Sequence, residues 1–150
     1  MLKQSLKSYG QRTDKSMKTI VRIERIRNKF YNKLVNYLSK FNLTINQFKV
    51  LEVLYHRGDL NIGSITKLTM GTPGNITVVV KNLKRDGWIT SISDPEDKRR
   101  SILSITSKGI EVIEKVFPNH AQDLKKSLEV LSDRELDTLY ELLNKVYKAN

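Results

Sequence analysis

Gly71-Thr72-Pro73-Gly74-Asn75-Ile76-Thr77-Val78-Val79-Val80-Lys81-Asn82-Leu83-Lys84-Arg85-Asp86-Gly87 is the stretch on which the reading of this chain turns. Thr72 is a good N-cap, and Pro73 falls at the first helical position, where its missing N–H costs nothing. Ile76, Val79, Val80 and Leu83 follow at i, i+3, i+4 and i+7, which is one buried helical stripe. The β-branched content is high, so packing rather than propensity must hold the helix. Its outward face carries Gly74, Asn75, Thr77, Val78, Lys81, Asn82 and Arg85. Small and hydrogen-bonding groups stand at the N-terminal end, with bases further back, as a helix entering a DNA groove requires. Asn75 can pair bidentately with adenine, and Val78 can meet a thymine methyl. The plainer reading is a surface helix with one stray valine.

Downstream, 88–93 alternates as a strand, 94–100 is a charged turn (Asp94-Pro95-Glu96-Asp97-Lys98-Arg99-Arg100), and 101–106 reads as a second strand. Together they predict an antiparallel hairpin with a basic tip. Asp97 stands two residues before Arg99, and a charge-assisted bond between them would aim the guanidinium into a minor groove. Upstream, Leu60 and Ile62 suggest a brief strand. Asn61 can cap a short helix through Ile65 and Leu68. Thr44-Ile45-Asn46-Gln47 has the capping-box form ahead of a helix carrying Phe48, Leu51, Leu54 and Tyr55, which stops at Gly58. Two short helices followed by a basic hairpin define a winged helix-turn-helix.

The flanks are helical. From about 15 to 40, Ile20, Ile23, Phe30, Leu34 and Leu38 recur at helical spacing. Residues 1–15 are polar and basic and are expected to be frayed or partly ordered. Gly109 falls near the start of a long helix through Leu128, expected to kink at Pro118. Ser132-Asp133-Arg134-Glu135 is a capping box opening a last helix with Leu136, Leu139, Tyr140, Leu143 and Val146. The expected fold is mainly α with a small β-wing: a winged-helix lobe at about 42–106, with helices at about 15–40 and 107–148 outside it.

Composition narrows the function. A 39% hydrophobic and 29% charged chain of 150 residues has the balance of a soluble protein, in the cytoplasm by default, with no apolar run approaching the ~20 residues of a membrane span. Net charge is +11, which favours polyanions. Residues 1–40 hold 11 Lys/Arg against 2 acids, whereas residues 111–150 hold 6 against 8. There is no cysteine, which removes disulfides and thiol redox sensing. No Gly-x-Ser-x-Gly, Walker loop, dinucleotide fingerprint or His-Glu-x-x-His is present, so neither an enzyme, a cofactor nor a metal site is expected. His56 and His120 lie on separate helices and are expected to be packed or surface residues.

The chain resembles the MarR family of bacterial regulators. The resemblance runs from Gln47-Phe48-Lys49-Val50-Leu51 through Gly74–Val80 and Asn82–Gly87 into Asp94–Arg100 and Ile105-Thr106-Ser107-Lys108-Gly109, and covers about residues 15–148. Its most specific part is the D-x-R wing followed by Thr-x-x-Gly. The resemblance implies a recognition helix at 72–86, a wing arginine at Arg99 with Asp97 as partner, and a homodimer built from the first helix and the last two. The DNA-contacting set is then Thr72, Gly74, Asn75, Thr77, Val78, Lys81, Asp97, Lys98 and Arg99, facing a pseudo-palindromic double-stranded operator. Leu54–Gly58 and Phe117–His120 are similar to the branch that answers quinones and related aromatics. The expectation is a repressor released by a small aromatic or phenolic effector, held near Phe30, Tyr55, His56 and Arg57. Thr69 departs from the family pattern, being usually apolar there, and a looser end to the third helix is expected. The competing classes are a basic RNA-binding module, on the GxxG of Gly71–Gly74, and a winged-helix protein-interaction module without a ligand.

Overall fold

Side-chain caps set the helix starts. In the computed structural model, which describes residues 7–97 and 99–150, Asn61 accepts from the Ser64 N–H at 2.9 Å and Thr72 from the Asn75 N–H at 3.4 Å. Thr106 accepts from the Gly109 N–H at 3.2 Å. Ser132 and Glu135 form the full reciprocal capping box, and the two hydrogen bonds from Ser132 hold the Glu135 carboxyl below its ordinary range. The resulting elements are α1 (Gln11–Ser39), α2 (Ile45–Arg57), β1 (Leu60–Asn61), α3 (Ile62–Leu68), α4 (Pro73–Arg85), β2 (Ile89–Ser93), β3 (Ser101–Ile105), α5 (Ser107–Leu128) and α6 (Asp133–Ala149). Ile62 opens α3 instead of joining the brief strand, because the Asn61 cap starts the helix there. α5 continues across Pro118.

Three helices end in the same 6→1 closure, with the intervening residue left-handed. Leu43 N–H bonds Leu38 O across Asn42 at φ 53°. Gly71 N–H bonds Thr66 O across Met70 at φ 54°, and Trp88 N–H bonds Leu83 O across Gly87 at φ 75°.

The chain divides into two units, Met1–Ile45 and Asn46–Asn150. Within the first, α1 begins four residues earlier than the apolar periodicity suggested. Asp14 reaches back to accept from the Ser8 hydroxyl and the Tyr9 N–H, so 11–15 are helical and not frayed, and the same bonds lower the Asp14 carboxyl. Residues 1–6, which share that expectation, lie outside the described residues.

The second unit holds a three-stranded antiparallel sheet in the order β1-β3-β2. Ile89 pairs with Ile105, Ser91 with Leu103 and Ser93 with Ser101, while Leu60 lies opposite Leu103. Phe48, Leu51 and Leu54 of α2, Ile65 of α3, the α4 stripe, Ile89, Leu103, Ile113 and Val116 are all buried. Thr69, expected to loosen the end of α3, is 4% exposed and donates its hydroxyl to Ile65 O at 2.8 Å. A buried hydroxyl satisfied by its own helix costs little, and the Thr69 N–H also bonds Ile65 O.

A candidate nucleic-acid interface

α4 turns its four apolar side chains inward and presents Thr72, Gly74, Asn75, Thr77, Val78, Lys81 and Arg85 to solvent, with Asn82 half-buried. Val78 is 57% exposed and takes no part in the core. Thr77 donates its hydroxyl to Pro73 O at 2.8 Å, which leaves its methyl and a lone pair toward solvent. Arg85 pairs with Asp86 at 3.0 Å, and that carboxylate raises its already high pKa.

The wing tip is built by two aspartates that accept from the main chain two residues on. Asp94 Oδ1 takes the Glu96 N–H at 2.9 Å, and Asp97 Oδ1 takes the Arg99 N–H at 3.0 Å. Asp94 N–H bonds Arg100 O, and Arg100 N–H bonds Asp97 O at 2.8 Å, closing the turn. The expected bond from Asp97 to the Arg99 guanidinium is therefore corrected. Asp97 fixes the Arg99 backbone, and its side-chain ion pair is with Arg100, at 3.5 Å. A tight turn points successive side chains apart, so the nearer guanidinium belongs to the residue three along. The Arg99 side chain stands exposed. Lys98, also expected in the site, lies outside the described residues.

The base of the wing is bolted to the end of α4. Thr106 donates its hydroxyl to Gly87 O at 2.7 Å, and its N–H bonds Trp88 O at 3.1 Å. Lys108 Nζ donates to Asp86 O at 2.8 Å, placing a cation on the C-terminal end of α4. A Cβ at Gly109 would overlap the Trp88 carbonyl oxygen. This is the physical content of Thr-x-x-Gly: threonine caps α5 and ties it to α4, and glycine permits the approach. The motif was legible, but its attachment to α4 was not, because nothing local in it names Gly87.

Elsewhere in this unit, Phe48, His120, Phe117, His56 and Tyr55 form a run of ring contacts with centroids 4.5–5.9 Å apart. The two histidines, on separate helices as expected, both contact Phe117. Partial burial lowers the His120 pKa, opposed by the charges of Glu52 and Asp123. His56 Nδ1 lies 2.9 Å from Glu52 O. A carbonyl only accepts, so Nδ1 carries the proton and Nε2 of the neutral ring is an acceptor. Beside it is a cleft of about 350 Å³ lined by Glu52, Val53, His56, Arg57, Leu68 and Phe117. Of the four residues expected around an effector, His56 and Arg57 line this cleft. Tyr55 stacks edge-on to His56 and donates toward Glu114 at 3.4 Å. Phe30 lies half-buried on α1, in the other unit. Glu52 was missed as lining, and so was Phe117, although Phe117–His120 is one of the segments that carry the resemblance.

Among the described residues no group of His, Cys, Asp or Glu is arranged to hold a metal ion, and no helix is long and apolar enough to cross a membrane. A capped reader helix, a three-stranded sheet and a basic wing make the second unit a winged helix-turn-helix of the DNA-binding kind. The MarR family model matches residues 43–101. The chain is 31% identical to the transcriptional regulator MhqR of Bacillus subtilis over 89% of its length and 92% of that protein. It is 32% identical to the multiple antibiotic resistance protein MarR of Salmonella typhimurium, over 75% and 79% of the two chains. Among solved structures, a MarR mutant from E. coli complexed with operator DNA superposes with a TM-score of 0.77 at 26% identity, covering 91% of this chain and 99% of that one. The protein belongs to the MarR family of transcriptional regulators, a family of non-enzymes.

Proposed function

We propose that this regulator is a repressor that binds pseudo-palindromic duplex DNA as a homodimer, with α4 in the major groove and Arg99 in the flanking minor groove. The observation that carries the reading is the solvent face of α4: a valine and hydrogen-bonding side chains at the N-terminal end of a helix fixed from behind by a buried stripe. The base-reading set is Thr72, Gly74, Asn75, Thr77, Val78 and Lys81, and the wing set is Asp97, Lys98 and Arg99. Two apolar faces, each exposed in its own unit, support the dimer. α6 buries none of its residues while carrying Leu136, Leu139, Leu143 and Val146, and α1 exposes Ile20, Ile23 and Ile26. A second copy of the chain would cover them. The lobe at about 42–106 then reads DNA, while helices at about 15–40 and 107–148 make the dimer.

The test is selection of random duplex DNA by the wild type, Asn75→Ala and Val78→Ala. Each variant should lose about 1–3 kcal/mol of preference at one base position. Unchanged preferences in both would mean that another face reads the DNA. RNA that outcompetes duplex DNA would favour the RNA-binding class instead.

The effector of this reading is a small phenol or quinol-like aromatic, seated at His56 and Arg57 with Phe117 as an apolar wall. Phenol O–H would donate to His56 Nε2, and an acidic substituent would meet Arg57. With no cysteine in the chain, release of DNA is reversible and free of thiol adducts. Titrating phenolic acids and quinols into the complex should free the DNA, and dialysis should restore binding. Release that persists after dialysis with added mass would contradict this, as would no release by any compound.

A further inference from the structure

A protein that sets a helix in the major groove and a wing in the adjacent minor groove must straddle the sugar–phosphate strand between them. Between α4 and the wing lies a cleft of about 540 Å³. Lys84, Arg99 and Arg100 line it together with Asn61, and no carboxylate among the described residues does. Its apolar lining is Ile62, Val80 and Leu103. Val80 and Lys84 are one helical turn apart, on the edge of α4 that faces the wing, so the buried residue and the exposed cation share one flank. The Arg100 guanidinium keeps only a 3.5 Å pairing with Asp97 among the described residues, and that pairing is open to solvent on both sides. Asn61 spends its side-chain oxygen on the Ser64 N–H, which leaves its amide NH₂ as a donor. Three cations and an amide around an apolar floor suit a phosphodiester strand: the phosphate meets the charges, and the deoxyribose meets the floor.

The geometry points to this cleft as the seat of the DNA backbone, with Lys84, Arg100 and Asn61 as phosphate-holding residues beyond the base-reading and minor-groove sets. The inference rests on the DNA-binding reading above and adds residues that belong to neither the base-reading set nor the wing set named there. Phosphate contacts carry no sequence information, but they set register. Lys84 and Arg100 therefore hold the strand between α4 and the wing without selecting its sequence.

The experiment measures duplex affinity of the full chain against potassium chloride concentration for the wild type, Lys84→Met and Arg100→Met, using a duplex selected by the wild type. Methionine keeps an apolar stem over the floor and removes the charge. Each variant should flatten the slope of log K against log salt by about 0.9 for every phosphate that a protomer no longer neutralises. Each should also weaken selected and unrelated duplexes by the same factor and leave the selected sequence unchanged. Melting temperatures equal to that of the wild type confirm that the fold is intact. A neutral methylphosphonate placed between the major-groove and minor-groove contacts should weaken wild-type binding and have little further effect on Lys84→Met. Wild-type slopes retained by both variants overturn the proposal and leave DNA binding standing, and so does a changed selected sequence. Wild-type binding that ignores salt overturns the DNA-binding reading along with it.

Discussion

At the residue scale, the wing tip separates what a local pattern can say from what a turn decides. That Asp97 matters to the tip was legible from its place before Arg99, but its partners were not. A carboxylate two residues upstream can hold either the main-chain N–H or the guanidinium of Arg99, and in the closed turn Asp97 holds the N–H while pairing with the Arg100 guanidinium. Arg99→Ala should weaken DNA binding by about 1.5–3 kcal/mol, the range for a hydrogen bond to a charged group, with fold and dimer intact. Asp97→Ala should cost less, about 0.5–1.5 kcal/mol, by loosening the turn. Anisotropy titrations decide this, and tighter binding by Asp97→Ala would mean that removing a negative charge outweighs ordering the tip. His120 offers a second residue-scale test. Its folded pKa lies below the ordinary value of 6.5 because burial disfavours the imidazolium. The unfolded chain therefore binds a proton first on acidification. Stability should fall as pH drops below about 6.5 and level off once the folded state is also protonated. Melting temperatures between pH 7.5 and 5 should show this fall, and His120→Phe should reduce it. An equal slope in the variant would remove His120 from the account.

At the element scale, helix starts were legible wherever the cap is a short polar residue just before an apolar period, as at Asn61, Thr72 and Ser132. The start of α1 was not, because Asp14 caps it from inside the helix by reaching back to Ser8 and Tyr9, and no apolar period marks that turn. Thr69 misled for a related reason: burial of a hydroxyl looks costly until its bond to Ile65 O is seen. The junction of α4, the wing and α5 sets how the two proposed DNA-contacting elements stand to one another. Gly109→Ala places a methyl against the Trp88 carbonyl, a backbone atom that cannot rotate away. Overpacking of this kind costs about 1–3 kcal/mol. Thermal denaturation should show that loss, together with a smaller gap between operator and unrelated-duplex affinity. Unaltered stability would mean that α5 can shift away from α4 freely.

At the scale of the whole molecule, the chain carries its positive charge early and an acidic excess late, and its unburied apolar residues gather on α1 and α6. The proposed two-fold association would cover those faces. Leu139→Glu on α6 should shift the protein to monomers in sedimentation equilibrium and reduce operator affinity, since each lobe would then bind alone. A variant that stays dimeric would place the interface elsewhere. The central claim is that paired reader helices and wings recognise a two-fold DNA site. Selection of random duplex DNA by the wild-type protein, followed by sequencing, tests it most directly. One enriched, pseudo-palindromic sequence is expected, with half-sites about 10 bp apart. Enrichment of no sequence, or of a single half-site without a symmetric partner, would contradict it.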